Sequence, residues 1–467
     1  MDGICMCSEL ALELDGMDLG DKRLNDRSQL LIDRLAANPA ASVNASCQGW
    51  SETKAAYQFF DNEKVEPHKI LQPHRDATIN RIREEEVVLI AQDTTELDYS
   101  EHPTEDAGVL DAAHRFGLYD HSHIAFTPQQ LCLGVLGVEF FSRTPESLGK
   151  TRERRNDPIE TKESFRWLEG YRLACDITTS CPNTQIVSVA DSECDIYDIF
   201  LETQQHDKPA EFVIRAKQDR RTPELDPETG PTAYRRVADE VATSPLIATK
   251  QIDLPQTSKR DARQATLEIR ATRVCVRPPA HRRDLDETTY NVVLVEEVGG
   301  PHDGTDVCWL LITSLPISSV KAVLLVIEYY VGRWPVEVFF RVFKSGCRVE
   351  DIQLETEQRL KNCLMFYKII AWRIMYVTYL GRECPNLACD TIFADVEWKP
   401  VWKIVSKKPL PKRPPPLSIF IPMLAQLGGY NNRSTDHPPG TQAIWTGIRR
   451  MTDFSIAWTA FGPDDQQ

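Results

Sequence analysis

Two aspartates in this 467-residue chain close apolar runs of strand length, where an acidic side chain can do chemistry. Asp93 ends Glu86-Val-Val-Leu-Ile-Ala-Gln-Asp93 and Asp191 ends Gln185-Ile-Val-Ser-Val-Ala-Asp191. In an open α/β sheet, groups at the carboxyl ends of central strands are displayed together where ligands bind. Convergent carboxylates with few His or Cys nearby form a hard oxygen site suited to Mg²⁺ or Mn²⁺. Each Asp taken singly also suits a turn or a helix N-cap, so the pair carries more than either member. A third stretch, Tyr330-Val-Gly-Arg333-Trp-Pro-Val-Glu337-Val-Phe-Phe-Arg-Val-Phe-Lys344, places its polar residues at offsets of 3, 7 and 14 from Tyr330, one face of a continuous helix. Pro335 predicts a break or a helix start within it. A helical Glu337 with Lys344 two turns on also fits a plain surface pair.

Weaker motifs add little. Gly149-Lys150-Thr151 has Thr144 where a phosphate-binding loop needs glycine. His121-Ser122-His123 has no third ligand at zinc spacing and reads as core or as support for a site.

These residues need elements to hold them. Leu24, Leu30, Leu31, Ile32 and Leu35 recur near helical spacing, and Ser51 suits the N-cap of a second helix through Asp61, so the first 75 residues read as a small helical domain. Strands follow at 86–93, 130–141 and 185–191, with a helix over 159–178 whose apolar face is Trp167, Leu168, Tyr171 and Leu173. Between 205 and 318, short β-branched runs separated by Pro, Gly and Asp predict an all-β stretch. Helical patterning returns from Ser318 to about Arg382, the basic Pro-rich segment Lys407–Pro416 is a stiff linker, and a last helical piece follows.

Composition sets the class. With 42% hydrophobic and 26% charged residues the chain is globular, of two to four domains. Its most apolar run, Val320 to Val331, is interrupted by Lys321 and Glu328, so no membrane span is expected. Met1 to Glu9 has neither a basic nor an apolar leader region, and the 13 Cys are scattered without a Cys-x-x-Cys pair, which predicts reduced thiols in a cytoplasmic chain. The net charge of −15 argues against uniform coating of nucleic acid. Charge is nonetheless uneven: residues 211–283 carry 15 Lys and Arg against 10 Asp and Glu, and residues 401–467 carry 8 against 4. Such segments face phosphates or form solvated surfaces.

The chain resembles the DDE transposases of the insertion-sequence-four group, which includes the transposase of transposon five. The resemblance rests on Leu19-Gly-Asp-Lys-Arg23, Ala55-Ala-Tyr57, Asp93-Thr-Thr95, Lys162-Glu-Ser164 with Trp167, Asp191-Ser-Glu-Cys-Asp195 and Phe212-Val-Ile-Arg215. It continues through Trp309-Leu-Leu-Ile-Thr-Ser314, the signature of Tyr330, Arg333, Glu337 and Lys344, Leu427-Gly-Gly429 and Trp445-x-Gly447. The resemblance implies an α/β, ribonuclease-H-like catalytic core with an all-β insertion, flanked by helical N- and C-terminal domains. The implied segments are a DNA-end-binding domain at 1–75, a core at 76–204 and 305–375, a β-strand insertion at 205–304 and a dimerisation domain at 376–467.

Asp93, Asp191 and Glu337 would be catalytic and would hold two Mg²⁺, with Mn²⁺ able to substitute. Trp309 would stack on a flipped base, and Tyr330, Arg333 and Lys344 would hold phosphates near the cut. Arg215 and Lys217 of the insertion and Arg23, Arg27 and Lys54 of the N-terminal domain are further DNA-contact candidates. The implied partners are double-stranded DNA (terminal inverted repeats and target) and a second copy of the chain on that DNA, in the cytoplasm at the nucleoid, with no membrane. The implied reaction is cut-and-paste transposition by strand cleavage, hairpin formation and strand transfer. The alternatives are an inactive DNA-binding relative and a stand-alone metal-dependent nuclease of the same fold.

Overall fold

The computed structural model describes residues 9–150, 156–225, 234–254, 256 and 260–462; the leader reading at the extreme N-terminus and Thr151 lie outside them. From the N-terminus come α1 (Glu9–Leu12), α2 (Lys22–Ala37), α3 (Val43–Ser46), α4 (Trp50–Phe60) and α5 (Pro67–Arg83). Strands β1 (Val87–Asp98), β2 (Gly117–Phe126) and β3 (Cys132–Phe141) follow, then α6 (Phe165–Ser180), β4 (Gln185–Ala190), α7 (Tyr197–Glu202) and β5 (Glu211–Arg215). Next are β6 (Arg221–Leu225), β7 (Tyr234–Arg236), α8 (Val237–Ala242), β8 (Leu246–Leu254), β9 (Arg263–Val276), β10 (Thr288–Val298) and β11 (Cys308–Thr313). Helices α9 (Val320–Val331), α10 (Pro335–Arg341), α11 (Glu357–Glu383), α12 (Asp395–Ser406), α13 (Leu417–Leu427) and α14 (Thr441–Phe461) complete the chain. It divides into two compact units, one of Met1–Ile82, Thr94–Gly149 and Pro335–Gln467, the other of Arg83–Asp93 and Lys150–Trp334.

The second unit is built on a mixed sheet in the order β1-β4-β5-β11-β10-β9-β8. β4 runs parallel to both β1 and β5, and the pairs from β5 through β11, β10, β9 and β8 are antiparallel. The central strands are short and apolar because they are covered: Val187, Val189, Ala190, Phe212 and Val213 are fully buried. Helix α6 packs on β4 through Trp167, Leu168, Tyr171 and Ala174, a spacing that keeps one helical face inward. Each large side chain buried there stabilises by roughly 1.5–3 kcal/mol. The predicted all-β stretch is present, with a correction: Val237-Ala-Asp-Glu-Val-Ala242 forms the short helix α8, burying Val237 and Val241.

The first unit gathers the helical termini around β3, β2 and the distal half of β1. β2 escapes a reading based on apolar runs, since Asp120-His-Ser-His123 interrupts it, yet all ten of its residues are buried. The burial of Asp120 and Ser122 is tolerated because both find partners, each other and a lysine. Lys368 of α11, with no exposed surface, donates to the Asp120 carboxylate and to Ser122 Oγ at 2.9 Å, and lies 4.0 Å from the Phe343 ring centroid. Burial pulls the Lys368 ammonium below its usual pKa, and Asp120 opposes that. Deleting one partner would strand the other charge, at a cost of about 3–5 kcal/mol.

Helix α11 carries an apolar stretch longer than the Val320–Val331 run. It is long and apolar enough to cross a membrane by length and composition, but 83% of the relevant window is buried within the protein, as in a core helix. Helices α13 and α14 cross closely at glycines: a Cβ on Gly447 would stand 2.1 Å from Leu424 O, and one on Gly428 1.9 Å from Ala443 O.

The N-terminal segment is tied to this unit by a charged cluster. Glu13 accepts from Arg81 Nη1 at 2.7 Å and from His74 Nδ1 at 2.6 Å. His74 Nε2 accepts the Val135 N–H at 3.0 Å, so the ring proton sits on Nδ1 and the buried imidazole is neutral. Burial pushes His74 below its ordinary value. Burial also disfavours the Glu13 carboxylate, but the bonds from His74 and Arg81 outweigh it and take its pKa down to about 2 from 4.5. A depressed acid contributes stability that is fully present above the unfolded value and lost as pH falls through the folded one. Glu13→Gln is therefore expected to cost about 3 kcal/mol above pH 4.5 and progressively less as the pH falls towards 2. Urea unfolding across that window checks this, and parallel stability profiles for the two proteins would contradict it.

Candidate functional site

The site in the second unit begins with strand register. The parallel pairing of β1 with β4 ends at Gln92 opposite Ala190, so the next residues, Asp93 and Asp191, stand side by side on neighbouring strands, whose spacing is about 4.8 Å. Gln92 Nε2 donates to Ser188 Oγ at 2.8 Å on one face of the pair. By alternation Asp93 lies on the other. One correction applies: β1 does not end at Asp93 but continues to Asp98, and only its pairing with β4 stops there. Asp191 does leave its strand, and its Oδ1 accepts the Glu193 N–H at 2.8 Å to cap the following turn.

That turn is fixed from below. Cys194 and Asp195 are buried, and Asp195 takes a guanidinium bond from Arg220 at 2.5 Å and the N–H groups of Lys217 and Gln218 at 2.8 and 2.7 Å. Asp195 thus holds the loop after β5 against the turn after β4. Neither Arg220 nor this role is visible from residue spacing.

Arg333 reaches the same place from α9. Beyond Val331 the helix tightens, with Gly332 N donating to Glu328 O at 2.8 Å and Arg333 N to Tyr330 O at 3.2 Å. Gly332 lies against β1 so closely that a Cβ there would stand 2.5 Å from Leu89 Cδ1. The Arg333 guanidinium consequently donates to the Asp93 carboxylate, both side chains being nearly buried at 11% and 13% exposure. Tyr330, on the last turn of α9, meets Trp309 of β11 edge to face at 5.4 Å between ring centroids. Burial pushes the Tyr330 phenol up, and the cations of Arg215 and Arg333 pull the other way. Arg215, opposite Leu311 in the sheet, donates to Cys308 O at 3.3 Å. Asp93, Asp191, Arg333, Tyr330, Trp309 and Arg215 therefore form one neighbourhood, while Lys217 is exposed and contributes its backbone N–H to Asp195.

The remaining candidates belong to the first unit. Pro335 starts α10, as its missing N–H allows, and Glu337 lies exposed in that helix's first turn. After Arg341 the chain widens into a π turn, Val342–Gly346, so Glu337 and Lys344 are not joined by uniform α-helix. Lys344 donates to Glu96 O at 2.7 Å and to the Glu350 carboxylate at 3.1 Å.

At the N-terminus Arg23 is exposed and pairs with the N-cap Asp21, Arg27 is half-buried on α2, and Lys54 is exposed on α4. Helix α4 starts two residues earlier than Ser51 suggested, with Gly49 at the N-cap at positive φ (97°) and Trp50 78% exposed beside it. His121 and His123 are buried on β2. His121 Nδ1 lies 2.8 Å from Thr94 Oγ1, and burial takes His123 down to about 4.

Among the described residues no group of three or more His, Cys, Asp or Glu is gathered as a metal-holding cluster. The second unit supplies two carboxylates side by side, an all-oxygen pair of the kind that hard divalent cations take, with Arg333 as the cation now facing Asp93.

Comparison with known proteins places matches at both ends of the chain. Residues 6–65 match a family model described as transposase DNA-binding, and residues 369–459 match one described as the transposase Tn5 dimerisation domain. A cryo-EM structure of the piggyBac transposase synaptic complex with hairpin DNA aligns with 86% of this chain at 8% identity and a TM-score of 0.34. The chain spans 60% of the length of that protein, and the likeness is too loose to identify a shared fold.

The Asp93–Arg333 pair is open to direct measurement. A double-mutant cycle of Asp93→Asn and Arg333→Gln is expected to give a coupling energy of about 1–3 kcal/mol in urea unfolding. Strictly additive single effects would show that the pair does not form in solution.

Proposed function

We propose that this chain, whose residues 6–65 and 369–459 match transposase DNA-binding and Tn5 dimerisation models, is a Tn5-like transposase that cuts and rejoins DNA at the ends of an insertion sequence of the insertion-sequence-four group. The carrying observation is the pair of aspartates where the parallel pairing of β1 with β4 ends, flanked by an arginine and by half-buried Trp309 packed on buried Tyr330. A ribonuclease-H-like core is the fold proposed to present them. The residues proposed to hold Mg²⁺ are Asp93, Asp191 and Glu337, whose oxygens suit that ion and Mn²⁺. When bound, such ions supply charge at the phosphoryl oxygens and a more acidic water.

The chain's own side chains account for the rest. Arg333 keeps Asp93 neutralised until a DNA phosphate competes for its guanidinium, since Arg binds phosphate oxygens as readily as carboxylate. Trp309 is proposed to present the ring surface on which an unstacked base can rest, and Tyr330, packed edge to face beside it, to meet a phosphate through its hydroxyl. Arg215 and Lys344 add positive charge for the phosphates, and Lys344 must exchange Glu350 for that role. In each chemical step an oxygen, of water or of a DNA 3′-hydroxyl, bonds to phosphorus in line as the opposite P–O bond breaks. Used in turn, these nucleophiles give a nick, a hairpin, its opening and strand transfer. Two DNA ends call for two sites, so we propose a homodimer on DNA held by residues of the 369–459 domain.

The test uses labelled duplex from the DNA flanking the coding region, including its inverted repeats, incubated with purified protein and Mg²⁺. Wild-type protein is expected to nick at the repeat boundary and then form a hairpin. Asp191→Ala is expected to fall to background while binding the duplex within about threefold of wild type, because phosphate contacts do not need the carboxylate. Cleavage by Asp191→Ala would overturn the site assignment, and binding by wild type with no cleavage in Mg²⁺ or Mn²⁺ would point to an inactive relative.

A further inference from the structure

The second unit contains a cavity of about 510 Å³ that the proposed chemistry does not use. It lies beyond the Asp191–Asp195 turn, between the start of α7, the loop after β5, the ends of β6 and β7, and the Arg277–Arg282 segment after β9. Its lining is strongly cationic: five arginines and Lys162, against the carboxylates of Asp195, Asp198 and Asp219. The pairings leave charge over. Arg220 is spent on buried Asp195 and Arg282 on Asp198 at 2.8 Å. Arg236 donates to a neutral group, Asp219 O, at 2.9 Å, and Arg221 is exposed at the rim with no side-chain bond among the described residues. Arg277 holds its guanidinium 3.9 Å from the Tyr234 ring centroid and pairs through Nε with the Glu287 carboxylate at 3.4 Å, which fixes its plane; a phosphate would be met by its terminal nitrogens.

Apolar groups share the lining: Ile159, Ile196, Tyr197, Pro278 and Pro279, with the Arg220 guanidinium 5.7 Å from the Tyr197 ring centroid. Tyr197 is locked by its hydroxyl donating to Asp286 O at 2.6 Å, so its ring is a rigid part of that lining. A cavity lined by both planar guanidinium donors and flat apolar groups fits a phosphate joined to a sugar and a base. Its volume accommodates one or two nucleotides. Free mononucleotides and DNA share this chemistry, and position favours DNA: the cavity continues from the same turn whose first residue is Asp191.

We propose that this arginine-lined cavity is a binding site for a nucleotide segment of a single DNA strand that passes the carboxyl end of β4. Arg221, Arg236 and Arg277 take its phosphates, and Tyr197 and Pro279 take a sugar or base. The assignment adds residues distinct from Arg215, Lys217 and the Tyr330–Lys344 signature, and it rests on the DNA-processing reading above.

The test titrates the full-length protein with fluorescein-labelled oligo(dT) of 20 nucleotides across a range of KCl, comparing wild type with Arg221→Glu/Arg236→Glu. Both substituted side chains are exposed, and matching thermal unfolding would confirm that the variant is folded. Each lost phosphate contact lowers the slope of log K against log salt by about 0.7 for a single strand, so the variant's slope is expected to fall by about 1.4. Affinity at low salt is expected to drop at least tenfold. Unchanged slope and affinity would overturn the proposal. Saturable binding of AMP that the variant loses, with oligonucleotide binding unaltered, would also overturn it by identifying a free nucleotide as the occupant. Failure of the wild-type protein to cut repeat DNA would sink the transposase reading while leaving this binding comparison interpretable.

Discussion

The parallel pairing of β1 with β4 is the constraint on which the site depends. Its register ends at Gln92 and Ala190 and thereby sets two carboxylates on neighbouring strands, one step further on. Two negative charges about 5 Å apart repel by roughly 3 kcal/mol at the effective dielectric of a partly buried site. Such a pair persists only beside positive charge, and Arg333 supplies it. The guanidinium is brought there by close packing of Gly332 on Leu89, which is why a glycine precedes the arginine. Under the proposed function the arrangement is a resting state, stable with arginine on the acid and made competent when a DNA phosphate takes the arginine.

The surrounding structure stiffens that pair. Asp195 pins the turn after β4 by accepting from Arg220 and two backbone N–H groups, so Asp191 is held by its own cap and by the anchor four residues later. In the first unit the Lys368–Asp120–Ser122 network and the Glu13–His74–Arg81 cluster perform the same service for the helical termini, fixing α11 to β2 and the first helices to α5. Both networks pair each buried charge with an opposite charge or a hydrogen-bond partner, which makes them costly to break and suited to defining one packing.

Much of this was legible in sequence, for physical reasons. The strands at Val87, Cys132 and Gln185 are buried on both faces and so read as apolar runs, and Pro335 marks the start of α10 because it lacks an N–H. The N-terminal DNA-binding match and the C-terminal dimerisation match agree with the family suggested by short motifs spread along the chain. What escaped were features set by distant partners. β2 hides because its buried Asp120 and Ser122 are satisfied by Lys368, 248 and 246 residues away. The Arg333–Asp93 bond spans 240 residues, so residue spacing holds no sign of it, and the phosphate role of Arg333 came from the family resemblance alone. The π turn at Val342–Gly346 breaks the uniform helical offset on which a shared face for Glu337 and Lys344 was based.

The most direct measurement of the central claim is a Mn²⁺ titration followed by electron paramagnetic resonance, on the full chain with and without duplex from the element's ends, for wild type and Asp93→Asn. If Asp93 belongs to a metal site that arginine guards until DNA arrives, wild-type protein binds Mn²⁺ at least about tenfold more tightly with the duplex present, and Asp93→Asn loses that gain. Equal Mn²⁺ affinity in the two proteins, with or without DNA, would contradict it.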